Sequence, residues 1–154
     1  MVLFDSVARI LVVLHAAAAI VLVGSSTHHA LIALGYLRSV FKERLGRIYA
    51  STVLGSYLVT FLLGGAAYPA FRYHVRALYL DRYEPWASNL FDIKEHFASL
   101  GLPMAVGVFV LSRVLRPKQD TELLPTYAVM VFGVAIIVWF NLFSGLIITL
   151  VRGV

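Results

Sequence analysis

Four segments of this chain are each long and apolar enough to cross a membrane. They cover residues 6–37, 48–71, 93–115 and 125–151. A transmembrane helix needs about 20 consecutive, mostly apolar residues. Inside lipid the main-chain polar groups have no water to bond to, so such a segment has to be helical. The sequence therefore predicts four transmembrane helices.

The connections between these segments are short enough to make neighbouring helices antiparallel. We predict an all-α fold, an up-down-up-down four-helix bundle that forms one transmembrane domain over residues 1–154. We expect Pro69 to kink or end the second helix, because proline has no main-chain N–H. The longest connection, 73–91, carries aromatic residues typical of a membrane interface. Its first part, 73–83, either continues the second helix or lies along the membrane surface.

Composition narrows the chemistry that the chain can perform. Sixty per cent of its 154 residues are hydrophobic, which excludes an ordinary soluble domain of this size. The chain contains no cysteine, which excludes disulfides, thiolate nucleophiles, iron–sulfur clusters and thioether-linked haem. A bound metal would therefore be held by His, Met, Tyr or carboxylate side chains.

The distribution of charge predicts how the protein is oriented in the membrane. The formal net charge is +5, and basic residues cluster in the connections 38–47 and 112–126. Such loops favour the cytoplasmic side. We expect a bacterial inner-membrane protein with both termini outside the cytoplasm and the lipid bilayer as its surroundings. The charge gives no reason to expect a nucleic-acid partner.

Two histidines in the first apolar segment are the strongest functional signal. His15 and His29 are fourteen residues apart, which places them within about 40° on one helix face and roughly 21 Å apart along the axis. Histidine within a membrane is a functional candidate, and this spacing suits axial ligands for haem at two depths. The face between them contains mostly small residues, which suit either a flat macrocycle or a neighbouring helix; they are Ala18, Ala19, Leu22 and Ser26.

Ligation of haem iron by two histidines needs partners on other helices. His74 and His96 lie on the predicted outer side and are candidates to share a haem with His15. The alternative is that both are ordinary interface histidines. No histidine lies near the inner ends of the other helices, so a haem on His29 would require Met104 or Met130. His28, about 100° away from His29, is a further candidate ligand that would face a different neighbour.

Two other interpretations of the polar residues stay open. Asp92, Glu95 and His96, together with His74 and His15, are candidates for a copper or zinc site. The alternative is a solvated helix start, where acidic residues meet the helix dipole favourably. Lys94 either extends to the interface or pairs with a haem propionate. Asn141 bonds a neighbouring helix, a quinone carbonyl or a propionate, and the helix is the simpler choice.

The sequence also has a family resemblance. Leu14-His15 with Gly24 nine residues later is similar to the opening of small four-helix membrane families of the copper-resistance D and HemJ-like type. Trp86 and Lys94 before the third helix, and Trp139-Phe140-Asn141 in the fourth, extend the resemblance. It implies haem b or porphyrin handling, or copper transport, with His15 and Lys94 as the matching residues. The His15–His29 spacing also resembles the haem-bearing helices of cytochrome b.

These observations predict a membrane-embedded b-type haem protein. We expect one haem, or two, carried by His15, His29, His74 or His96, with electrons passing between the quinone pool and a redox partner. A quinone is a further candidate cofactor, and the chain is expected to be a small subunit of a larger complex. A HemJ-like protoporphyrinogen oxidase and a cofactor-free or copper-handling subunit are the alternatives. Catalytic residues are not assigned.

Overall fold

The computed structural model describes residues 2–153, and four long helices account for most of this part of the chain. A short 3-10 turn, Asp5–Val7, precedes α1, and a second one, Thr121–Leu123, precedes α4. The long helices are α1 (Ala8–Leu37), α2 (Glu43–Tyr83), α3 (Pro85–Val114) and α4 (Leu124–Val151).

The four helices form an antiparallel ring. Each packs against the next in sequence, and α4 closes the ring by packing against α1. The prediction of an all-α four-helix up-down-up-down bundle is confirmed. Both chain termini and the α2–α3 connection lie at one end, which we call the termini end. The α1–α2 and α3–α4 connections lie at the other, which we call the loop end.

The surface of the bundle is largely apolar, and small residues occupy several of the contacts between helices. Large apolar side chains project outward; among the most exposed are Ile20, Leu62, Val129, Ile136 and Leu150. Small residues lie where the helices meet, including Ala33, Ala50, Ala105 and Ala128. Within the described residues, four helices are long and apolar enough to cross a bilayer. An apolar exterior around closely packed helices is the pattern of an integral membrane protein.

Two helices extend beyond their predicted bounds. The prediction that α2 ends at Phe71 is wrong, because it continues to Tyr83, and α3 begins at Pro85 rather than Ile93. Of the two alternatives for residues 73–83, helical continuation is confirmed. Proline suits the first turn of a helix, where its missing N–H has no intrahelical partner. The two helices therefore meet at a single residue, Glu84.

Pro69 does not end α2. The helix passes through it and changes to π-helical hydrogen bonding over Phe71–Leu80. A π-helix is uncommon at this length. It buries Val75 and Leu80 in a small second core with Ala87 and Ile148, so this wider part of α2 packs on the termini end of the bundle.

Candidate functional site

His15 is half-buried between α1 and α2. Its Nδ1 lies 2.9 Å from the main-chain oxygen of Thr60. Because a carbonyl oxygen only accepts, Nδ1 carries the proton in this contact, and Nε2 is left with its lone pair. The ring lies against Gly64, where an added Cβ would stand 3.1 Å from the His15 Cε1. Gly64 therefore makes room for the imidazole.

Lys94 of α3 is a charged side chain that acts on this imidazole from another helix. Its Nζ lies 5.5 Å from the centroid of the Phe91 ring, a cation–π distance. Its Cε would be 3.4 Å from a Cβ added at Gly145 of α4. Lys94 is close enough to His15 for charges on the two side chains to repel each other. The structure thus places His15 and Lys94 within electrostatic range of each other, and Gly64 makes room for the imidazole.

His29 lies in the core and contacts α4. Only 1% of its surface is exposed, and its Nε2 is 2.8 Å from the Tyr127 hydroxyl. The Tyr127 ring in turn stacks on Tyr36, with centroids 6.2 Å apart. Both His15 and His29 point into the bundle, but His15 contacts α2 and His29 contacts α4. Their helix neighbours differ, although fourteen residues nearly complete a whole number of turns.

The two methionines considered as partners of His29 pack between α3 and α4. The Met130 methyl would stand 2.8 Å from a Cβ added at Gly107, and the Met104 methyl 2.6 Å from one added at Gly133. Each methionine therefore inserts its tip at a glycine of the facing helix. This is the gap-filling use of methionine.

The structure does not bring His74 together with His15. His74 Nε2 is 2.8 Å from Asp5 Oδ1, which ties α2 to the start of the chain. His74 lies ten residues beyond Gly64 on α2. At the α-helical rise, ten residues correspond to about 15 Å along the axis.

His96 lies near the depth of His15 but on the outside of the bundle. The Tyr57 hydroxyl donates to the main-chain oxygen of Ala98, which places this part of α3 level with the middle of α2. His96 is two residues from Lys94, or about 200° around the helix. It is exposed, and its Nδ1 lies 2.7 Å from the main-chain oxygen of Asp92.

His28 also bonds its own helix. Its Nδ1 is 2.7 Å from the Gly24 oxygen, and its ring stacks on Tyr49 at 5.5 Å. It therefore faces α2 from an exposed position, separate from His29.

One of the acidic residues considered for a metal site, Asp92 of α3, is bound by a cation. Arg76 of α2 donates two hydrogen bonds to Asp92, at 2.6 and 2.9 Å, and its Nε lies 3.6 Å from Asp81. The Ser88 hydroxyl donates to the same Asp81 carboxylate. Between residues 2 and 153, no group of three or more His, Asp or Glu side chains is placed to hold a metal ion.

The remaining predicted features have packing partners. Leu22 and Ser26 are buried, while Ala18 and Ala19 are half-buried, so part of the small-residue face of α1 packs inside the bundle. The Asn141 amide donates to Ile137 of its own helix, not across helices as expected. The interhelical bond in this region comes instead from Trp139, whose Nε1 donates to Thr27 Oγ1 at 3.0 Å.

Three of these contacts were not predicted. Thr60 acts through a main-chain oxygen, which the sequence does not mark. Tyr127 stands near the start of an apolar segment, where a tyrosine usually indicates an interface. Gly64 is one of several glycines in the apolar segments, and nothing in the sequence marks it as the neighbour of a histidine. Comparisons of the chain with protein-family models, with curated proteins and with solved structures find no match.

Proposed function

We propose that this protein is a membrane-embedded redox subunit that binds a b-type haem through His15. Haem iron takes up and releases one electron, and the subunit would pass that electron between the quinone pool and a partner. The observation that carries the proposal is the hydrogen bonding of the His15 ring, in which Nδ1 has a partner and Nε2 has none among the residues that the structure describes.

A metal-bound histidine nearly always donates its second ring N–H to a carbonyl, a carboxylate or water. His15 fits this pattern, because Nδ1 is held by Thr60 and Nε2 has no hydrogen-bond partner among residues 2–153. The contact with Thr60 orients the ring and raises the basicity of Nε2. Lys94 stands on the same interior side and supplies a positive charge for a propionate.

The second axial ligand does not come from a histidine that faces His15 in the described part of the chain. His74 is bonded to Asp5, and His96 lies on the outside of α3. The proposal therefore places one protein ligand in this chain. The other axial position would be open or would be filled by a partner subunit, in keeping with a small subunit of a larger complex.

The test is a dithionite-reduced-minus-oxidised spectrum of the protein purified after haem-replete expression. The wild-type protein should show a reversible haem difference band, and His15→Ala should lose it. His28→Ala is the matched control, because this histidine is on the same helix but exposed. A colourless wild-type protein would exclude the haem proposal. A band that survives His15→Ala would exclude His15 as the ligand.

A HemJ-like protoporphyrinogen oxidase is the second candidate. The placement of Lys94 within electrostatic range of His15 favours it. These are the two residues on which the resemblance falls, and they lie on different helices, 79 positions apart in the sequence. A protonated Lys94 would attract the carboxylates of a tetrapyrrole.

This candidate predicts that the wild-type gene complements a strain lacking its own protoporphyrinogen oxidase. Lys94→Gln should abolish complementation while leaving expression unchanged. Arg9→Gln, which removes a charge at the same end, should complement normally. Failure of the wild-type gene to complement would exclude this activity.

We infer further that the protein lies in a bacterial inner membrane with its loop end in the cytoplasm. Seven basic and three acidic residues belong to the loop end, against six basic and five acidic residues at the termini end. This difference has the sign expected from the preference of basic loops for the cytoplasm.

A further inference from the structure

An open groove lies between α2 and α3 at the loop end, away from the His15 site. Its volume is about 570 Å³. The lining residues come from the first turns of α2 and the last turn of α3; they are Glu43, Arg44, Arg47, Ile48, Ser51 and Arg113. Three of the six are arginines, and only one is acidic.

One of the three arginines is held in position by its neighbours. Arg113 Nη2 donates to Ser51 Oγ at 2.8 Å, which joins the two walls of the groove. The Arg113 guanidinium carbon also lies 4.8 Å from the centroid of the Phe109 ring. These contacts order the side chain but leave most of its donors free, because a guanidinium has five N–H groups.

The positive charge of the groove is not neutralised by the protein. Arg44 and Arg47 are three residues apart and so lie on neighbouring positions of one helix face. Within residues 2–153, no carboxylate lies within 4.0 Å of a guanidinium nitrogen of these two arginines or of Arg113. With Glu43 included, the groove carries a net charge of about +2.

The surroundings of the groove are those of a membrane surface. Below the arginines, Ile48 is 49% exposed and Val110 is 52% exposed, and both belong to membrane-spanning segments. A molecule that fills the groove therefore meets cationic side chains at one level and apolar side chains at the next. A phospholipid has this combination of a charged head and hydrocarbon chains.

We propose that the groove binds an anionic phospholipid through its phosphate groups. Guanidinium groups bind phosphate oxygens with paired hydrogen bonds, and basic pockets between transmembrane helices on the cytoplasmic side bind such head groups. A diphosphatidylglycerol head carries two phosphates, which matches the charge of the groove better than a single phosphate. The site is independent of any cofactor on His15.

The test is native mass spectrometry of the intact protein in detergent, with diphosphatidylglycerol or phosphatidylcholine added as the probe. The variant Arg44→Gln/Arg47→Gln/Arg113→Gln should bind diphosphatidylglycerol at least roughly 10-fold more weakly, since it removes the three guanidinium groups that would donate paired hydrogen bonds to the phosphates. The matched control is Arg38→Gln/Arg116→Gln/Lys118→Gln, which removes the same charge from the same end outside the groove. It should change binding by less than about 2-fold.

Three outcomes would overturn the proposal. The groove variant and the control could weaken binding equally, which would indicate diffuse attraction. Phosphatidylcholine could bind as well as diphosphatidylglycerol. Inorganic pyrophosphate could displace the lipid at micromolar concentration, which would assign the groove to a soluble phosphate compound. Arg113→Gln alone should give an intermediate loss, which keeps the test valid if the triple variant does not fold.

Discussion

At the scale of single residues, the ring nitrogens of the five histidines find hydrogen-bond partners in two ways. Two of them bond a main-chain oxygen four residues earlier in their own helix; they are His28 and His96. The other three bond a different part of the chain; they are His15, His29 and His74. Only the second group forms hydrogen bonds between different elements, so we expect this group to contribute most to function and stability.

The His29–Tyr127 pair predicts a cost for removing one hydroxyl. Tyr127→Phe leaves the His29 Nε2 without a partner in the core, and we expect a loss of about 1–3 kcal/mol in the free energy of unfolding. The measurement is a reversible unfolding titration in mixed micelles. Tyr49→Phe is the control, because the Tyr49 hydroxyl makes no hydrogen bond within residues 2–153. Equal stabilities would mean that the pair is not formed.

The sequence could predict which histidines enter the membrane but not what they contact. Fourteen-residue spacing indicates a shared face, and both His15 and His29 do point inward. Their partners depend on the rotation of each helix against its neighbours. Rotation is determined by packing at small residues such as Gly64, and these occur too often along the chain to mark a particular contact.

At the scale of elements, α2 shows where hydropathy is informative and where it is not. The apolar run predicts its membrane part, but for the polar stretch 73–83 the sequence left open whether it continues the helix or lies along the membrane surface. It stays helical because its charges have partners on other elements: His74 bonds Asp5, and Arg76 bonds Asp92. Hydropathy over a short stretch of sequence cannot predict ion pairs between residues that are far apart in the chain.

The bonds made by Arg76 predict the mobility of this extension. Arg76→Ala removes the paired bonds to Asp92, and we expect amide hydrogen exchange over residues 71–83 to become roughly fivefold faster, the equivalent of about 1 kcal/mol. Arg72→Ala is the control, because Arg72 is exposed and has no carboxylate within 4.0 Å in the described chain. Unchanged exchange in Arg76→Ala would contradict the role assigned to these bonds.

The close approach of α2 and α3 at Gly101 predicts that adding one methyl group there lowers the stability of the protein. A Cβ at Gly101 would collide with the Tyr57 hydroxyl and stand 2.9 Å from Ile137 Cγ2. Gly101→Ala should therefore lower the free energy of unfolding by about 1–3 kcal/mol through overpacking. Gly55→Ala has open space, with nothing within 4 Å, and should be neutral or slightly stabilising. A stable Gly101→Ala variant would refute this tight contact.

At the scale of the whole molecule, the bundle is asymmetric in charge along its axis. The loop end holds seven basic and three acidic residues, whereas the six basic residues of the termini end are nearly balanced in number by five acidic residues. The antiparallel arrangement itself follows from short connections and could be predicted. The charge contrast between the ends could also be predicted from the sequence, because it depends only on which residues lie at each end of the apolar segments.

The absence of cysteine allows a direct measurement of orientation. We expect Arg82→Cys, at the termini end, to react with a membrane-impermeant maleimide in intact cells. Lys118→Cys, at the loop end, should react only after the membrane is permeabilised. The wild-type protein is the unlabelled control. The reverse labelling pattern would place the loop end outside and would contradict the orientation that we infer.

The π-helical part of α2 has a consequence for how the chain can change in length. A π-helical turn takes up about one residue more than an α-helical turn. Removing one residue from an ordinary transmembrane helix rotates everything beyond it by about 100° and exposes its buried face. In Phe71–Leu80 the same deletion can be absorbed by restoring α-helical bonds. In homologous chains whose α2 is one residue shorter or longer, we therefore expect the insertion or deletion to lie within the segment that matches Phe71–Leu80. The part of α2 that packs against His15 would then keep its position.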